Sequence, residues 1–214
     1  MVQIPQTARI GPDSKAHQKQ LEILRAASRA FRLHGLHATG MREIAAESGM
    51  HVGNLYYYFR NKQELLAFCQ DQTLRGLIEL AHTVQRQASS PDEQLFRLIV
   101  GHVVHLNDEM PGSLAHLEVE ALDEPWRQEI VARRDRYENL MREIIDEGIH
   151  AGAFRPLATS VAVKAILGAA NWTVKWYLPT GDRTSRDIGR EFATLLVRGL
   201  LAPGYRSAVP ELEA

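Results

Sequence analysis

Residues 39–62 read TGMREIAAESGMHVGNLYYYFRNK. Apolar spacing over Met41 to Ser48 predicts a short helix, with Thr39 placed to cap it through its side-chain oxygen. Ile44 and Ala45 face inward on this helix, and Ala46 is small enough to admit a second one. Gly49 supplies the backbone freedom that a tight inter-helix turn needs. A second short helix is expected from about Val52 to Phe59. Its three consecutive tyrosines, Tyr56, Tyr57 and Tyr58, span most of a helix circumference, so at least one must point outward. Asn61 and Glu64 then form a capping-box-like pair for the next helix. Lys62 falls in that helix's first turn, where the macrodipole disfavours a cation and a nearby phosphate would account for it. This is the layout of a helix-turn-helix, a unit that docks its second helix in the major groove of duplex DNA.

The docking geometry places His51, Val52, Gly53 and Asn54 nearest the base edges. Asn pairs bidentately with adenine, and an apolar Val touches a thymine methyl. The charge distribution agrees. The whole chain of 214 residues carries a net charge of −1, but residues 1–62 carry +5 and the remainder −6. Positive charge is concentrated where phosphate binding requires it. The opposing interpretation is a helical hairpin in a larger bundle with no DNA contact, which does not need a tyrosine run followed by a lysine at a helix start.

Thr39, Ile44, Ala45, Gly49, Gly53, Leu55, Tyr56, Phe59 and Lys62 match the pattern of the TetR family of transcriptional regulators, which the stretch resembles. His51, Val52 and Tyr58 depart from it, which leaves the operator sequence open. The resemblance implies an all-α fold with an N-terminal three-helix reading domain and a C-terminal helical domain for ligand and dimer contacts. It implies that Thr39, Tyr56 or Tyr57, and Lys62 hold phosphates. The full set expected to face DNA is Thr39, Met41, Arg42, His51, Val52, Gly53, Asn54, Tyr56, Tyr57, Tyr58 and Lys62.

Outward from this stretch, residues 1–15 hold Pro5, Gly11 and Pro12 and read as a flexible arm. Helix spacing then predicts about nine helices. The first runs from about His17 to His34 and stops at Gly35. After the reading pair come segments of about Lys62–Gln87, a helix from the Ser89–Asp92 breaker to about Asn107, Leu114–Ala121 beyond the Pro111–Gly112 breaker, Pro125–Ala151, Thr159–Tyr177 and Thr184–Leu201. No strand and no repeat appears. Residues 16–62 are expected to form the reading domain, 63–205 the ligand-binding and dimerisation domain, and 206–214 a tail. On the last helix Ile188, Phe192, Leu195, Leu196, Gly199 and Leu200 make one broad apolar face. Gly168, Ala169 and Ala170 would let the preceding helix approach closely. These two helices are the expected homodimer interface.

Asn171 to Gly181 reads NWTVKWYLPTG. With Arg133, Arg134, Asp135, Tyr137 and Glu138 upstream, it resembles the branch of these regulators that answers to acyl-CoA thioesters. Trp172, Trp176 and Tyr177 offer flat aromatic surface. Lys175, Arg133, Arg134 and Arg136 offer cations for phosphates. His102, His105 and His116 are expected to line the same pocket with Arg133, Arg134, Tyr137, Asn171, Trp172, Lys175 and Trp176. The competing interpretation makes the aromatics interface anchors and pairs the arginines with Asp135, Glu138 and Glu143.

His102 and His105, with His116, Glu118 and Glu120 beyond, also admit first-row metal ligation. A three-residue spacing without cysteine pairs is weak support, and no metal or other cofactor is expected. Cys69, the one cysteine, excludes an intrachain disulfide and reads as core. No nucleophile–base pattern stands in the sequence, so an enzyme is not expected. A metal-dependent or esterase-like helical enzyme with a vestigial DNA-binding module is the alternative. No run of 18 apolar residues and no leader-like apolar stretch occurs, so a cytoplasmic protein without membrane contact is expected.

Overall fold

In the computed structural model the described residues are 15–110, 116 and 118–211. They hold eight α-helices: α1 (Lys15–His34), α2 (Met41–Glu47), α3 (Val52–Tyr58), α4 (Lys62–Gln87), α5 (Pro91–Val104), α6 (Trp126–His150), α7 (Thr159–Trp176) and α8 (Ser185–Leu200). Among the described residues there is no strand, only one isolated bridge between Phe154 and Leu201. Of the arm expected over 1–15, Lys15 instead opens α1, and the rest lies outside the described residues, as do the Pro111–Gly112 breaker and the last three residues.

The chain divides into two compact units. The first comprises residues to Thr73 together with Met110–Ala132. Its core is made by Ile23, Leu24, Ala27 and Phe31 from α1, Ile44 and Ala45 from α2, Leu55 from α3, and Leu65, Leu66 and Phe68 from α4, all buried. Phe59 packs on Phe68 with ring centroids 5.3 Å apart. Two glycines make the corners. Gly35 ends α1 at φ +80 and Gly49 turns between α2 and α3 at φ +66, the left-handed region glycine enters without steric cost. Asn61 accepts from the Glu64 backbone N–H at 2.8 Å and so caps α4. The returning half of the box is displaced by one residue, because the Glu64 carboxylate takes the Arg60 N–H at 2.6 Å. Burial pushes the Cys69 thiol well above its usual range, consistent with a core residue.

The second unit comprises Leu74–Glu109 and the chain from Arg133 onward. Leu95, Leu98, Ile99 and Val103 of α5 are buried, as are Met141, Ile144 and Ile145 of α6, Val163 and Ile166 of α7, and Ala193 and Val197 of α8. Helices α5 and α8 pack closely at Gly189, where an added Cβ would sit 3.2 Å from the Val100 backbone and 3.3 Å from Val103. Gly168, expected to serve close approach, is exposed, and among the described residues nothing lies within 4 Å of a Cβ added there; Ala170 is core.

Helix α5 stops being α-helical at Val104 and continues as a π-turn over His105–Glu109. Side chains hold the wider winding: Asn107 donates to the Val103 carbonyl and the Thr173 hydroxyl, both at 2.8 Å. The Asp108 carboxylate accepts from the Ser185 hydroxyl at the start of α8. Of the helix expected over 114–121, the described part is a single 3-10 turn, Val119–Ala121.

The segment after α8 is fastened down. Arg198 donates to the carbonyls of Pro210 and Val209, and Val209 is buried. Asp92, at the start of α5, accepts from Tyr205 at 3.2 Å, Ser207 at 2.5 Å and the Ala208 N–H at 3.3 Å. Burial alone would raise this carboxyl, but its donors Ser207, Ser90 and Tyr205 and its own backbone N–H together hold it below the usual carboxylate range.

Candidate nucleic-acid interface and a buried polar cluster

Helix α3 is short and anchored on one side only. Leu55 within it and Phe59 just after it are fully buried. The N-terminal end carries His51, Val52, Gly53 and Asn54, all exposed. Tyr56 is 48% and Tyr57 83% exposed, while Tyr58 is half-buried with its ring edge-on to Tyr57 at 5.1 Å. The tyrosine run therefore splits as helix geometry demands, and two hydroxyls reach solvent. A Cβ added at Gly53 would meet no atom of the described residues within 4 Å. The fold itself does not require glycine there.

Three of the residues expected to face DNA are placed differently. Thr39 is buried, and its hydroxyl is directed at the carbonyls of Gly35 (2.8 Å) and Ala30 (3.2 Å), tying the end of α1 to the start of α2. The cap of α2 is Gly40 instead, whose N–H donates to the Glu43 carboxylate at 2.9 Å. Met41 is buried against the core, because the first turn of so short a helix is needed to anchor it. Arg42, next to it, is exposed. Lys62 is half-buried and donates to the Leu36 carbonyl, so an internal partner accounts for a cation at this helix start. Burial also lowers its pKa.

Two supports of the reading pair are not visible in sequence. Arg29 on α1 pairs with the Glu47 carboxylate at the end of α2, 2.6 Å apart. Gln63 on α4 holds residues 121 and 123 through its amide. Separations of 18 and about 60 residues leave no periodic signal for either.

In the second unit His102 is buried on α5, with Nδ1 2.9 Å from the Tyr137 hydroxyl on α6 and Nε2 3.0 Å from Asn171 Oδ1 on α7. An amide oxygen only accepts, so Nε2 carries the proton and Nδ1 accepts from Tyr137. Burial lowers His102 to a pKa of about 4, opposed by its bond to Asn171 and reinforced by His105. Burial likewise pushes the Tyr137 phenol up. The cluster is neutral at physiological pH. His105 lies over Gly76 on α4, where a Cβ would fall 2.2 Å from its ring. Arg133 and Arg134 are half-buried, and burial lowers the Arg134 guanidinium against the opposing pull of Asp135. Glu138, which the competing interpretation pairs with an upstream arginine, accepts from Arg142 at 2.6 Å.

Of the residues expected at a ligand pocket, the structure thus joins His102, Tyr137 and Asn171. Trp172 (59%), Trp176 (46%) and Lys175 are on the exposed side of α7, with Trp176 6.2 Å from the Phe192 ring of α8. His116 is buried in the other unit. Both ring nitrogens of His102 are engaged, which removes it as a metal ligand, and among the described residues no three His, Cys, Asp or Glu side chains gather for a metal ion.

Residues 23–68 match the model described as bacterial regulatory proteins, tetR family, and residues 88–200 match the tetracyclin repressor-like C-terminal domain. The HTH-type transcriptional repressor KstR2 of Mycobacterium tuberculosis (strain ATCC 25618 / H37Rv) is 25% identical over 197 residues, covering 89% of this chain and 96% of its own. The TetR family regulator PfmR of Thermus thermophilus superposes with a TM-score of 0.76 at 28% identity, over 82% of this chain and 97% of its own. AibR, solved with isovaleryl coenzyme A and operator DNA, has the same fold, with a TM-score of 0.73 at 24% identity over 86% and 98%.

Proposed function

Because the chain belongs to the TetR family of bacterial regulatory proteins, we propose that it is a transcriptional repressor that binds a two-fold symmetric operator as a dimer and leaves it when a coenzyme A thioester binds. The observation that carries the first part is the exposed N-terminal end of α3, from His51 to Asn54, on a helix anchored by the buried Leu55 and Phe59. Base readout falls to that end, and phosphate contacts to Arg42, Tyr56 and Tyr57.

Dimerisation is assigned to the outward faces of α7 and α8. Val161, Gly168, Trp172 and Trp176 follow one exposed stripe along α7, and Leu195 is 60% exposed on α8. Large apolar side chains left exposed together mark a surface that another protein covers.

The repressor reading is supported by the likeness to KstR2, and the effector reading by the isovaleryl coenzyme A of the AibR complex. In this chain Arg133 and Arg134 supply cations for phosphates, while His102, Tyr137, Asn171 and Asn107 supply neutral polar groups within an apolar bundle. A ligand that prefers the conformer with wrongly spaced reading helices lowers DNA affinity by its differential affinity. A helical enzyme with a vestigial reader gains no support from these relatives.

Selection from randomised duplexes followed by footprinting tests the DNA claim. A symmetric site with half-sites about one helical turn apart, or a multiple of it, is expected, and a footprint without symmetry overturns it. Thermal shift with acyl-CoA thioesters, free CoA and free acids tests the effector claim. Thioesters should raise the melting temperature and release the operator, whereas a response to free acids alone removes the CoA reading and leaves the DNA claim standing.

A further inference from the structure

Gln63 lies one residue beyond Lys62, on the first turn of α4. Its side-chain amide donates to the Ala121 carbonyl at 2.9 Å and accepts from the Asp123 N–H at 3.0 Å. One residue of α4 thus bonds the segment at 121–123 as a neighbouring strand would, through a donor and an acceptor in one plane. Two turns further along, Gln70 donates to the Glu118 carbonyl at 3.3 Å. The residues so held, 118–123, link the π-turn after α5 to the start of α6. They belong to the reading unit, although the chain on both sides of 110–132 belongs to the other.

Lys62, next to Gln63, donates to the Leu36 carbonyl in the turn between α1 and α2. The first turn of α4 therefore grips the reading helices with one side chain and the α5–α6 connection with the next. The amide satisfies both bonds at 121 and 123 at any ordinary pH. A carboxylate has no proton for Ala121, an ammonium has no lone pair for Asp123, and an apolar side chain leaves both backbone groups without their partner.

We propose that Gln63 is a positioning residue whose clasp on residues 121–123 sets the reading unit in its DNA-competent arrangement, so that operator binding and the closed clasp stabilise each other. The inference rests on the proposed DNA-binding function. It goes beyond it by placing part of the coupling in the 118–123 connection rather than in α4 alone. Coupling is reciprocal, so DNA must tighten the clasp if the clasp favours DNA.

The test uses the full chain with the selected operator, and variants Q63L and Q63E. Amide hydrogen exchange at Asp123 is measured with and without operator, alongside operator affinity, affinity for an unrelated duplex, and melting temperature. In the parent protein, operator should slow Asp123 exchange. Q63L should exchange fast in both states and lose about tenfold in operator affinity, within the usual span of coupling energies, with only a small fall in melting temperature, because one of the two lost bonds is part-buried and the other exposed. Q63E should bind weakly at neutral pH. It should regain operator affinity relative to the parent as pH falls toward the carboxyl range, about 4 to 5, because a protonated carboxyl again both donates and accepts.

Operator affinity of Q63L equal to the parent's, or Asp123 exchange indifferent to operator, overturns the proposal. A loss of binding to both duplexes in step with a large fall in melting temperature also overturns it, by reducing Gln63 to a structural contact. If the parent protein selects no operator, the function on which the inference rests is lost, and the inference with it.

Discussion

Gly53 and Gln20 show how single positions separate folding from function. Gly53 sits in the first turn of α3, and an added Cβ would meet no atom of the described residues. Alanine is the better helix former by about 1 kcal/mol, so Gly53→Ala should hold or raise the melting temperature. It should nevertheless weaken operator binding, because the methyl would project from the face presented to base edges. Thermal melting and a gel-shift titration of the same preparation check both halves. Gln20 presents the opposite case. Its side chain is fully buried on α1, and among the described residues neither amide atom has a hydrogen-bond partner. An unsatisfied buried polar group costs about 1–3 kcal/mol. Gln20→Leu should therefore raise stability by about 1 kcal/mol in denaturant titration and leave DNA affinity unchanged.

At the scale of elements, signals confined to neighbouring residues were legible in the sequence and those spanning the chain were not. Helix α4 begins at Lys62 as expected because Asn61 and Glu64, three apart, write its cap into the sequence. Gly35 and Gly49 likewise mark real corners. Thr39 misleads because a hydroxyl near a helix start has two uses. Here the carbonyls of Ala30 and Gly35 claim it, leaving Gly40 to start α2. The end of α5 misleads because its π-turn is held by Thr173 and Ser185, some 66 and 77 residues away. His102, Tyr137 and Asn171 each stand out as polar residues in apolar helices. Their union depends on which faces of α5, α6 and α7 meet, and no spacing encodes that. Close approach follows the same pattern, since it falls at Gly189 rather than at the more conspicuous Gly168. Gly189→Leu should force α8 from the Val100 backbone and cost about 1–3 kcal/mol, read as a lower urea midpoint. Gly168→Ala, with open space around it, should cost nothing in that measurement.

For the molecule as a whole, the neutral His102 cluster ties stability to pH. Its folded pKa is about 4 against an ordinary 6.5, so below 6.5 the unfolded chain takes up a proton that the folded chain refuses. Stability from this group is complete above pH 6.5, declines as pH falls from 6.5 to about 4, and levels off below. At 1.36 kcal/mol per unit the loss is on the order of 3 kcal/mol. Urea titrations across this window should show the decline, and in His102→Asn it should flatten. Self-association is read at the same scale. Leu195 is 60% exposed, so Leu195→Arg should leave the monomer fold intact by circular dichroism while shifting sedimentation toward monomer and weakening operator binding. A variant that sediments as the parent does would place the dimer contact elsewhere.

The strap that follows α8 gives the codons beyond Leu201 an unexpected weight. A frameshift or early stop just after Leu201 would delete Tyr205, Ser207 and Val209. The Asp92 carboxylate would lose three donors and Arg198 its carbonyl partners. No residue of the reading face would change, yet the allele would lower the amount of folded protein in the cell, because modest losses of stability translate into degradation. A genetic screen for lost regulation would score that allele beside lesions in α3. Immunoblotting separates the two: depleted protein for the truncated allele, normal abundance for an α3 lesion such as Asn54→Ala.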